Sequence, residues 1–235
     1  MPNREVGVFI IGAPKSATTS LKEYLASHSR FTVNEGRELT YFISDDEYSK
    51  GESGLWATYY SNSLDANKIA LAKNVNMMYS EKALLRLKAH SPNVKLIMVL
   101  RNPVDRAHSA YWYARRRGWE DIQEFKEAAF SDSSRFKGDW VKEAGCAYLE
   151  HGLYAKYIEM VQGIFGVGAL KVYLLEDLKI RPQEVCDEIF AWCGLEKKTV
   201  NLVGQKHNRV ASVRSRALLN MTRLHPGFFK SSIFF

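Results

Sequence analysis

A lysine and four hydroxyl side chains follow a short apolar segment near the start of the chain, where they could bind a phosphate group. Residues 6–11 are typical of a strand buried on both faces, and a helical pattern begins near Ala17 or Thr18. A loop between a buried strand and a helix presents free N–H groups at the positive end of the helix dipole. Lys15 adds a full positive charge to this loop. The hydroxyls are those of Ser16, Thr18, Thr19 and Ser20.

The spacing in this loop differs from that of the nucleoside triphosphate loop. That motif has Gly, four residues and then Gly-Lys-Ser/Thr. Here Lys15 follows Gly12 by three positions, and Pro14 stands directly before it. Taken alone, the loop is also compatible with an ordinary turn between a strand and a helix.

A second cation follows a second apolar strand. Residues 95–100 predict a buried strand, and Arg101 comes directly after it. Asn102 and Pro103 form a helix cap and first turn, so we expect a helix that runs to about Arg117. In a P-loop enzyme that transfers phosphate, this strand would be expected to end in Asp, which helps to hold magnesium. A cation in its place favours an anion that is bound directly.

These two stretches resemble the sulfotransferase family. Residues 14–21 resemble the loop that binds the 5′-phosphosulfate of 3′-phosphoadenosine 5′-phosphosulfate (PAPS), with Ala17 where many members have Gly. We expect Ala17 to fit as a helical residue of the first turn. Arg101 and Ser109 match the pair that holds the 3′-phosphate. The resemblance implies a cofactor site for PAPS made by Lys15, Ser16, Ala17, Thr18, Thr19, Ser20, Arg101 and Ser109.

Two further stretches resemble the catalytic part of the bacterial and carbohydrate-type branch of this family. Residues 37–42 resemble a segment whose Glu is the general base, which assigns that role to Glu38. Arg37 replaces the Lys of that segment, and Thr40 stands where His is frequent, so no help from His is expected there. Lys73 resembles the Lys that reaches the sulfuryl end of the cofactor, although its neighbours differ. The resemblance thus implies Lys15, Glu38 and Lys73 as catalytic residues.

The remaining matches concern the adenine and the 3′-phosphate. Tyr154 matches the Tyr of a Gly-x-Tyr motif, and residues 205–216 resemble a basic loop that closes over the 3′-phosphate. Lys206 and Arg209 are the candidates in that loop, for which a plain solvated role stays open. Arg106 is expected to make a structural ion pair. Four histidines without a partner pattern are assigned to the core or the surface: His28, His90, His151 and His225.

Composition limits the class of protein. The 235 residues carry a net charge of +7, which suits either a polyanionic cofactor or a nucleic acid. Aromatic residues are not interleaved with the basic clusters, so no nucleic-acid partner is expected. No apolar run is long enough for a membrane span or a signal peptide, and three cysteines lack metal-ligand spacing. These features predict a cytoplasmic protein with free thiols, no bound metal and no membrane partner.

The elements that must position these residues alternate between strands and helices. We expect strands at residues 6–11, 31–33, 95–100 and 170–175, and a short strand or loop at 73–79. We expect helices at residues 81–89, 103–117, 120–130, 148–164, 183–193 and 215–224. This order predicts a single α/β domain at 1–235, with a parallel sheet covered by helices on both faces. The resemblance implies a P-loop nucleotide-kinase-like form of this fold.

The predicted function is sulfuryl transfer from PAPS to a hydroxyl or an amine of a small metabolite or a glycan, with release of adenosine 3′,5′-bisphosphate (PAP). Two alternatives remain from the residues alone. One is a P-loop kinase-like enzyme, and the other is a non-catalytic module that binds a nucleotide or a nucleic acid. The acceptor, the oligomeric state and any continuation of the natural chain past Phe235 are left open.

Overall fold

The fold is a five-stranded parallel sheet with helices on both faces. The computed structural model describes residues 4–36, 38–61, 65, 67–131 and 133–201. The strands are β1 (Val6–Gly12), β2 (Phe31–Val33), β3 (Ile69–Lys73), β4 (Lys95–Leu100) and β5 (Leu170–Leu174). They lie in the order β2-β3-β1-β4-β5, and all neighbouring pairs are parallel. The predicted parallel sheet is therefore confirmed, although β3 was not predicted at Ile69–Lys73.

Ten α-helices connect and cover the strands in the part of the chain that the structure describes. They are α1 (Thr18–Ala26), α2 (Asp45–Tyr48), α3 (Gly51–Tyr60), α4 (Glu81–His90), α5 (Pro103–Arg117), α6 (Phe125–Phe130), α7 (Trp140–Cys146), α8 (Tyr154–Phe165), α9 (Leu175–Ile180) and α10 (Pro182–Trp192). Within the described residues, no helix is both long and apolar enough to cross a bilayer.

Each face of the sheet has its own hydrophobic core. On one face, Leu21 and Leu25 of α1 pack with Ile189 and Phe190 of α10. On the other face, α3, α4 and α8 bury aromatic and aliphatic side chains against β1 and β3. Trp56, Tyr59 and Tyr60 belong to that second core. Because β1 is central and buried on both faces, its carboxyl end is held rigidly in the middle of the sheet.

A third cluster packs beside the sheet, where α5, α6 and α7 meet. Tyr111 and Ala114 of α5 pack against Cys146 and Tyr148. Glu120 is buried in this region and forms an ion pair with Arg135. This cluster fixes α5 along its length, and α5 in turn carries residues that face the cavity described below.

Helix α5 follows the sequence prediction at both ends. The Asn102 side chain accepts hydrogen bonds from Val104 N at 3.0 Å and Asp105 N at 3.3 Å, so it caps the helix as expected. Gly118 follows Arg117 with φ at 66°, a left-handed conformation that Gly adopts at low cost. The local capping signals were therefore sufficient to place this helix.

Other predicted boundaries were wrong for identifiable reasons. The strand or loop expected at 73–79 is instead the end of β3 followed by a 3-10 turn at Met77–Tyr79. The helix expected from residue 148 begins at Tyr154, after a 3-10 turn at Glu150–Gly152. The helix expected from residue 120 begins at Phe125, because the buried Glu120 carboxylate accepts from Ile122 N and Arg135. Helices α2, α3, α7 and α9 were not predicted, and the helix expected at 215–224 lies outside the described residues.

Candidate active site

A cavity of about 480 Å³ opens at the edge where the carboxyl ends of the strands meet. The loop after β1, Lys73 at the end of β3 and Arg101 after β4 all contribute to its wall. Ligands bind at this edge in open parallel sheets, because the strand ends and helix N-termini converge there. The strand order thus brings together residues that lie 86 positions apart in sequence.

The loop between β1 and α1 is shaped to expose its backbone. Lys15 and Ala17 both adopt left-handed conformations, with φ at 68° and 59°. A Cβ added at Gly12 would collide with the buried Met78 side chain, so the end of β1 needs Gly at this position. The loop ends at the N-terminus of α1, where free N–H groups and the helix dipole favour an anion.

The structure corrects the expected conformation of Ala17. It is not a helical residue of the first turn but the N-cap of α1, at φ 59° and ψ 24°. This region is sterically unfavourable for any residue with a Cβ and is readily adopted by Gly. The Gly that many sulfotransferases have at this position is therefore the residue that the backbone geometry prefers.

The predicted loop residues do not all reach the cavity. Lys15, Ala17, Thr18, Thr19 and Ser20 line it as expected. The Ser16 side chain is fully buried and is not part of the wall. Among the described residues its hydroxyl has no hydrogen-bond partner.

Lys15 lies in a crowded positive environment. Its ammonium is 4.4 Å from the centroid of the Tyr113 ring, a cation–π contact. Burial, followed by the charges of Arg116 and Arg101, lowers the pKa of Lys15 to about 8. A bound anion would relieve this repulsion, which is the electrostatic condition expected of a phosphate site.

Arg101 and Ser109 both line the cavity, as predicted for a second phosphate site. The Arg101 guanidinium donates to the Lys15 carbonyl at 3.4 Å, which ties the two cationic segments together. Tyr154, predicted to contact the cofactor, is not among the lining residues. Its hydroxyl instead donates to the Arg101 carbonyl at 2.9 Å, so Tyr154 helps to hold the backbone of Arg101 in place.

Glu38 and Lys73 form an ion pair on the cavity wall. The Lys73 side chain is 2% exposed and that of Glu38 is 34% exposed, so the carboxylate is the accessible partner. The second carboxylate oxygen of Glu38 accepts from Val75 N at 3.1 Å. The structure therefore brings the predicted base and the predicted lysine into direct contact, although they are far apart in sequence.

The segment around Glu38 is also tied to the end of β3 by its backbone. Leu39 N donates to the Lys73 carbonyl at 2.7 Å, and the Asn74 side chain donates to the Leu39 carbonyl at 2.9 Å. Lys22 of α1 donates to the Asn34 carbonyl at 2.7 Å. Burial and the nearby Lys73 lower the pKa of Lys22 to about 8, while Glu38 opposes this shift. Sequence reasoning missed Lys22, whose helical position carries no motif signal.

Part of the cavity wall is aromatic, and sequence reasoning missed it as well. Tyr113 and Trp119 belong to this wall beside Lys15, and their rings meet edge to face with centroids 5.6 Å apart. Trp119 packs closely on α7, where a Cβ added at Gly145 would lie 2.9 Å from its ring. Tyr113 follows Ser109 by one helical turn, and this spacing was the signal that could have found it.

Two residues that were predicted to have structural roles, His151 and Arg106, line the cavity. His151 lines the wall and stacks on Tyr79, with ring centroids 3.6 Å apart. Burial and the charge of Arg106 lower the pKa of His151 to about 3, so its ring is neutral at physiological pH. The ion pair predicted for Arg106 is wrong. Its guanidinium donates to the Tyr148 carbonyl, and no ion pair involves it within the described residues.

Some predicted site residues lie outside the described part of the chain. These are Lys206 and Arg209 of the basic loop, together with Arg37 beside the predicted base. In the described residues, no group of three or more His, Cys, Asp or Glu side chains is arranged to hold a metal ion.

Comparisons with known proteins identify the family. The sulfotransferase domain model matches residues 6–233. The chain is 27% identical to bifunctional heparan sulfate N-deacetylase/N-sulfotransferase 4 of Mus musculus, over 79% of this chain and 22% of that protein. It is 32% identical to N-deacetylase/N-sulfotransferase 1 of Xenopus tropicalis, over 80% of this chain and 22% of that protein. It is 27% identical to heparan sulfate glucosamine 3-O-sulfotransferase 3B1 of Mus musculus, over 84% of this chain and 47% of that protein.

The chain therefore spans about a fifth of the length of the bifunctional relatives. Among solved structures, a sulfotransferase from Alicyclobacillus acidocaldarius superposes with a TM-score of 0.69 at 22% identity, covering 95% of this chain and 92% of that one. Mouse sulfotransferase SULT7A1 complexed with PAP superposes with a TM-score of 0.56 at 16% identity, covering 90% of this chain and 70% of that one. These likenesses confirm the predicted P-loop kinase-like fold. Because the family model matches most of its length, the chain belongs to the sulfotransferase domain family.

Proposed function

We propose that this protein transfers a sulfuryl group from PAPS to a hydroxyl or an amine of a glycan or a small metabolite, and releases PAP. One observation carries this proposal. A single cavity joins the anion-binding loop after β1, the cation Arg101 and the Lys73–Glu38 pair. The PAP bound to mouse SULT7A1, a protein with the same fold, supports the assignment of the nucleotide.

The residues present fit a nucleotide with phosphate groups at both ends of its ribose. The N-terminus of α1, Lys15 and the hydroxyls of Thr18 and Thr19 would hold the 5′-phosphosulfate. Arg101 and Ser109 would hold the 3′-phosphate. Burial, followed by the charges of Arg116 and Arg101, lowers the pKa of Lys15, as expected of a polyanion site whose positive charges face one another. Lys206 and Arg209 are proposed to close over the 3′-phosphate.

The same residues supply the chemistry of transfer. Lys15 neutralises the negative charge that grows on the 5′-phosphate oxygen as its bond to sulfur breaks. Lys73 pairs with the Glu38 carboxylate and places positive charge near the sulfuryl oxygens. Glu38 accepts the proton of the acceptor hydroxyl or amine as the new bond to sulfur forms. Holding both reactants in line in one cavity supplies much of the remaining rate.

The acceptor class is supported by the relatives. Those named above are an N-sulfotransferase pair and a 3-O-sulfotransferase that act on heparan sulfate or its glucosamine. Both oxygen and nitrogen acceptors are compatible with Glu38 as the base.

The competing kinase-like function is disfavoured because the described cavity wall offers no free carboxylate for magnesium. Glu38 is the only Asp or Glu that lines the cavity among the described residues, and it is paired with Lys73. Phosphoryl transfer from a nucleoside triphosphate needs carboxylates for magnesium, and Arg101 stands where one is expected. The cytoplasmic location, the bacterial origin, the single domain and the absence of nucleic-acid and membrane partners stay predictions.

A thermal-shift comparison tests the nucleotide assignment. PAP without magnesium should raise the melting temperature, because a ligand at about 100 times its Kd stabilises the fold by roughly 2.7 kcal/mol. ATP with magnesium and GTP with magnesium should give much smaller shifts. A larger shift with ATP and magnesium than with PAP would favour the kinase-like function.

A further inference from the structure

One tyrosine of α3 holds the segment that carries Glu38 on both sides of that residue. The Tyr59 carbonyl accepts a hydrogen bond from Glu35 N at 2.8 Å, and its hydroxyl accepts one from Thr40 N at 3.1 Å. Tyr59 itself is only 7% exposed and is anchored in the core beneath the sheet. The Tyr59 carbonyl and hydroxyl therefore tether Glu35 and Thr40 to helix α3. These two residues are the ends of the segment that carries Glu38, called here the Glu38 segment.

The Tyr59 hydroxyl is held in turn by a carboxylate of α2. It donates to Glu47 Oε2 at 2.6 Å, while the Thr40 hydroxyl donates to Glu47 Oε1 at 2.7 Å. The two hydroxyl oxygens lie 2.7 Å apart, so Tyr59, Glu47 and Thr40 form one closed cluster, called here the Tyr59 clamp. Burial and the bond to Glu47 raise the pKa of Tyr59, so the phenol keeps its proton at neutral pH.

The clamp reaches the cavity through the segment that carries Glu38. None of its three residues is among those that line the cavity, whereas Glu38 is. The described residues around Glu38, at 34–36 and 38–40, belong to no helix or strand, and Gly36 has φ at 72°. The position of this carboxylate therefore depends on the contacts that tether its segment. A base acts only within hydrogen-bond reach of its proton, and a displacement of about 1 Å can cost about 10²-fold in rate.

We propose that Tyr59, Glu47 and Thr40 are positioning residues that hold Glu38 against Lys73 and the Val75 amide, a role that rests on the proposed sulfuryl transfer. The clamp restrains the Glu38 carboxylate although Glu38 lies in a loop. Both hydroxyls donate to the Glu47 carboxylate and the Thr40 amide donates to the Tyr59 hydroxyl, so the tether has little freedom to shift.

The direct test is Tyr59→Phe, which keeps the ring and removes the hydroxyl. We expect kcat to fall at least tenfold, while the Kd for PAP and the KM for the acceptor stay near the wild-type values. Tyr60→Phe is the matched control, because Tyr60 is the next residue of α3 and its hydroxyl donates to the Leu71 carbonyl at 3.3 Å. It should keep wild-type turnover.

A second pair of variants tests the clamp at Thr40, the residue at the end of the Glu38 segment. Thr40→Ser keeps the hydroxyl and should retain most of the turnover, whereas Thr40→Val should lose it as Tyr59→Phe does. This pair also decides the question if Tyr59→Phe does not fold. Equal turnover in Thr40→Ser and Thr40→Val would overturn the proposal.

A double-mutant cycle separates positioning from a general structural effect. In the Glu38→Gln background, Tyr59→Phe should cause no further loss of kcat, because the clamp acts through the Glu38 carboxylate. A full additional tenfold loss in that background would mean that Tyr59 supports the site in some other way, and the proposal would fail.

One measurement does not depend on turnover. The Val75 amide donates to Glu38, so its hydrogen exchange, followed by NMR, reports whether the carboxylate is in place. We expect exchange at least tenfold faster in Tyr59→Phe and unchanged in Tyr60→Phe. Unchanged exchange in Tyr59→Phe would overturn the positioning role. A wild-type protein that transfers no sulfuryl group would instead count against the proposed function, and the exchange result would still decide the clamp.

Discussion

The affinity for PAP should depend on pH through Lys15. Burial and the charges of Arg116 and Arg101 lower the pKa of this lysine to about 8 in the free protein. A bound polyanion stabilises the charged form, so between pH 8 and the ordinary lysine pKa of 10.5 the complex binds one proton more than the free site. Binding must therefore weaken as the pH rises through this range.

The magnitude follows from the pKa. A lysine of pKa about 8 is about nine-tenths deprotonated at pH 9, so the affinity should fall about tenfold between pH 7 and pH 9. The second phosphate pKa of the ligand is about 6, so the ligand keeps its charge over this interval. The stability of the free protein should change in the opposite direction and increase with pH. Since the unfolded chain holds the Lys15 proton up to higher pH, the free energy of unfolding rises between pH 8 and 10.5.

Calorimetry of PAP binding at pH 7, 8 and 9, in two buffers of different ionisation enthalpy, measures both the affinity and the proton uptake. Lys15→Arg is the matched variant, because a guanidinium stays charged throughout and should remove the pH dependence. An affinity that is constant from pH 7 to pH 9 would refute the reasoning. An equal fall in Lys15→Arg would assign the effect to another group, with Lys22 as the first candidate because its pKa is also about 8.

Three further predictions concern single residues. Arg101→Ala should weaken PAP by about 1.5–3 kcal/mol but leave adenosine 5′-phosphosulfate nearly unchanged, and equal losses for both ligands in calorimetry would remove Arg101 from the 3′-phosphate site. Glu38→Gln should lower kcat by about 10²–10⁴-fold with PAP affinity near wild type, and unchanged turnover in a steady-state assay would exclude Glu38 as the base. Ala17→Gly should stabilise the fold by about 0.5–1 kcal/mol, because Ala17 is left-handed, and a lower melting temperature would contradict this.

Local signals were enough to predict the frame of the site from sequence. The apolar run of β1, the loop after it and the Asn102 and Gly118 caps of α5 are encoded by neighbouring residues, and all appear where expected. The strand β3 was missed because two of its five residues are Ala, which gives a weak strand pattern. Its end is fixed by pairing with β1, which is a long-range contact.

Tertiary contacts decided the parts that sequence reasoning missed. The Glu38–Lys73 pair joins residues 35 positions apart, and only the family resemblance had brought them together. The contact of Lys15 with Tyr113 and the Tyr59 clamp depend on how helices pack on the loops, for which the sequence carries no motif. The left-handed Ala17 went unrecognised because its residue type favours a helix.

The most direct test of the central claim is to incubate the protein with PAPS and a panel of glycan and small-metabolite acceptors and to follow the products by mass spectrometry. We expect one acceptor class to gain a sulfuryl group while PAP appears in equal amount, without added magnesium and with much slower transfer by Glu38→Gln. Phosphoryl transfer from ATP to the same acceptors, with PAPS left intact, would contradict the account.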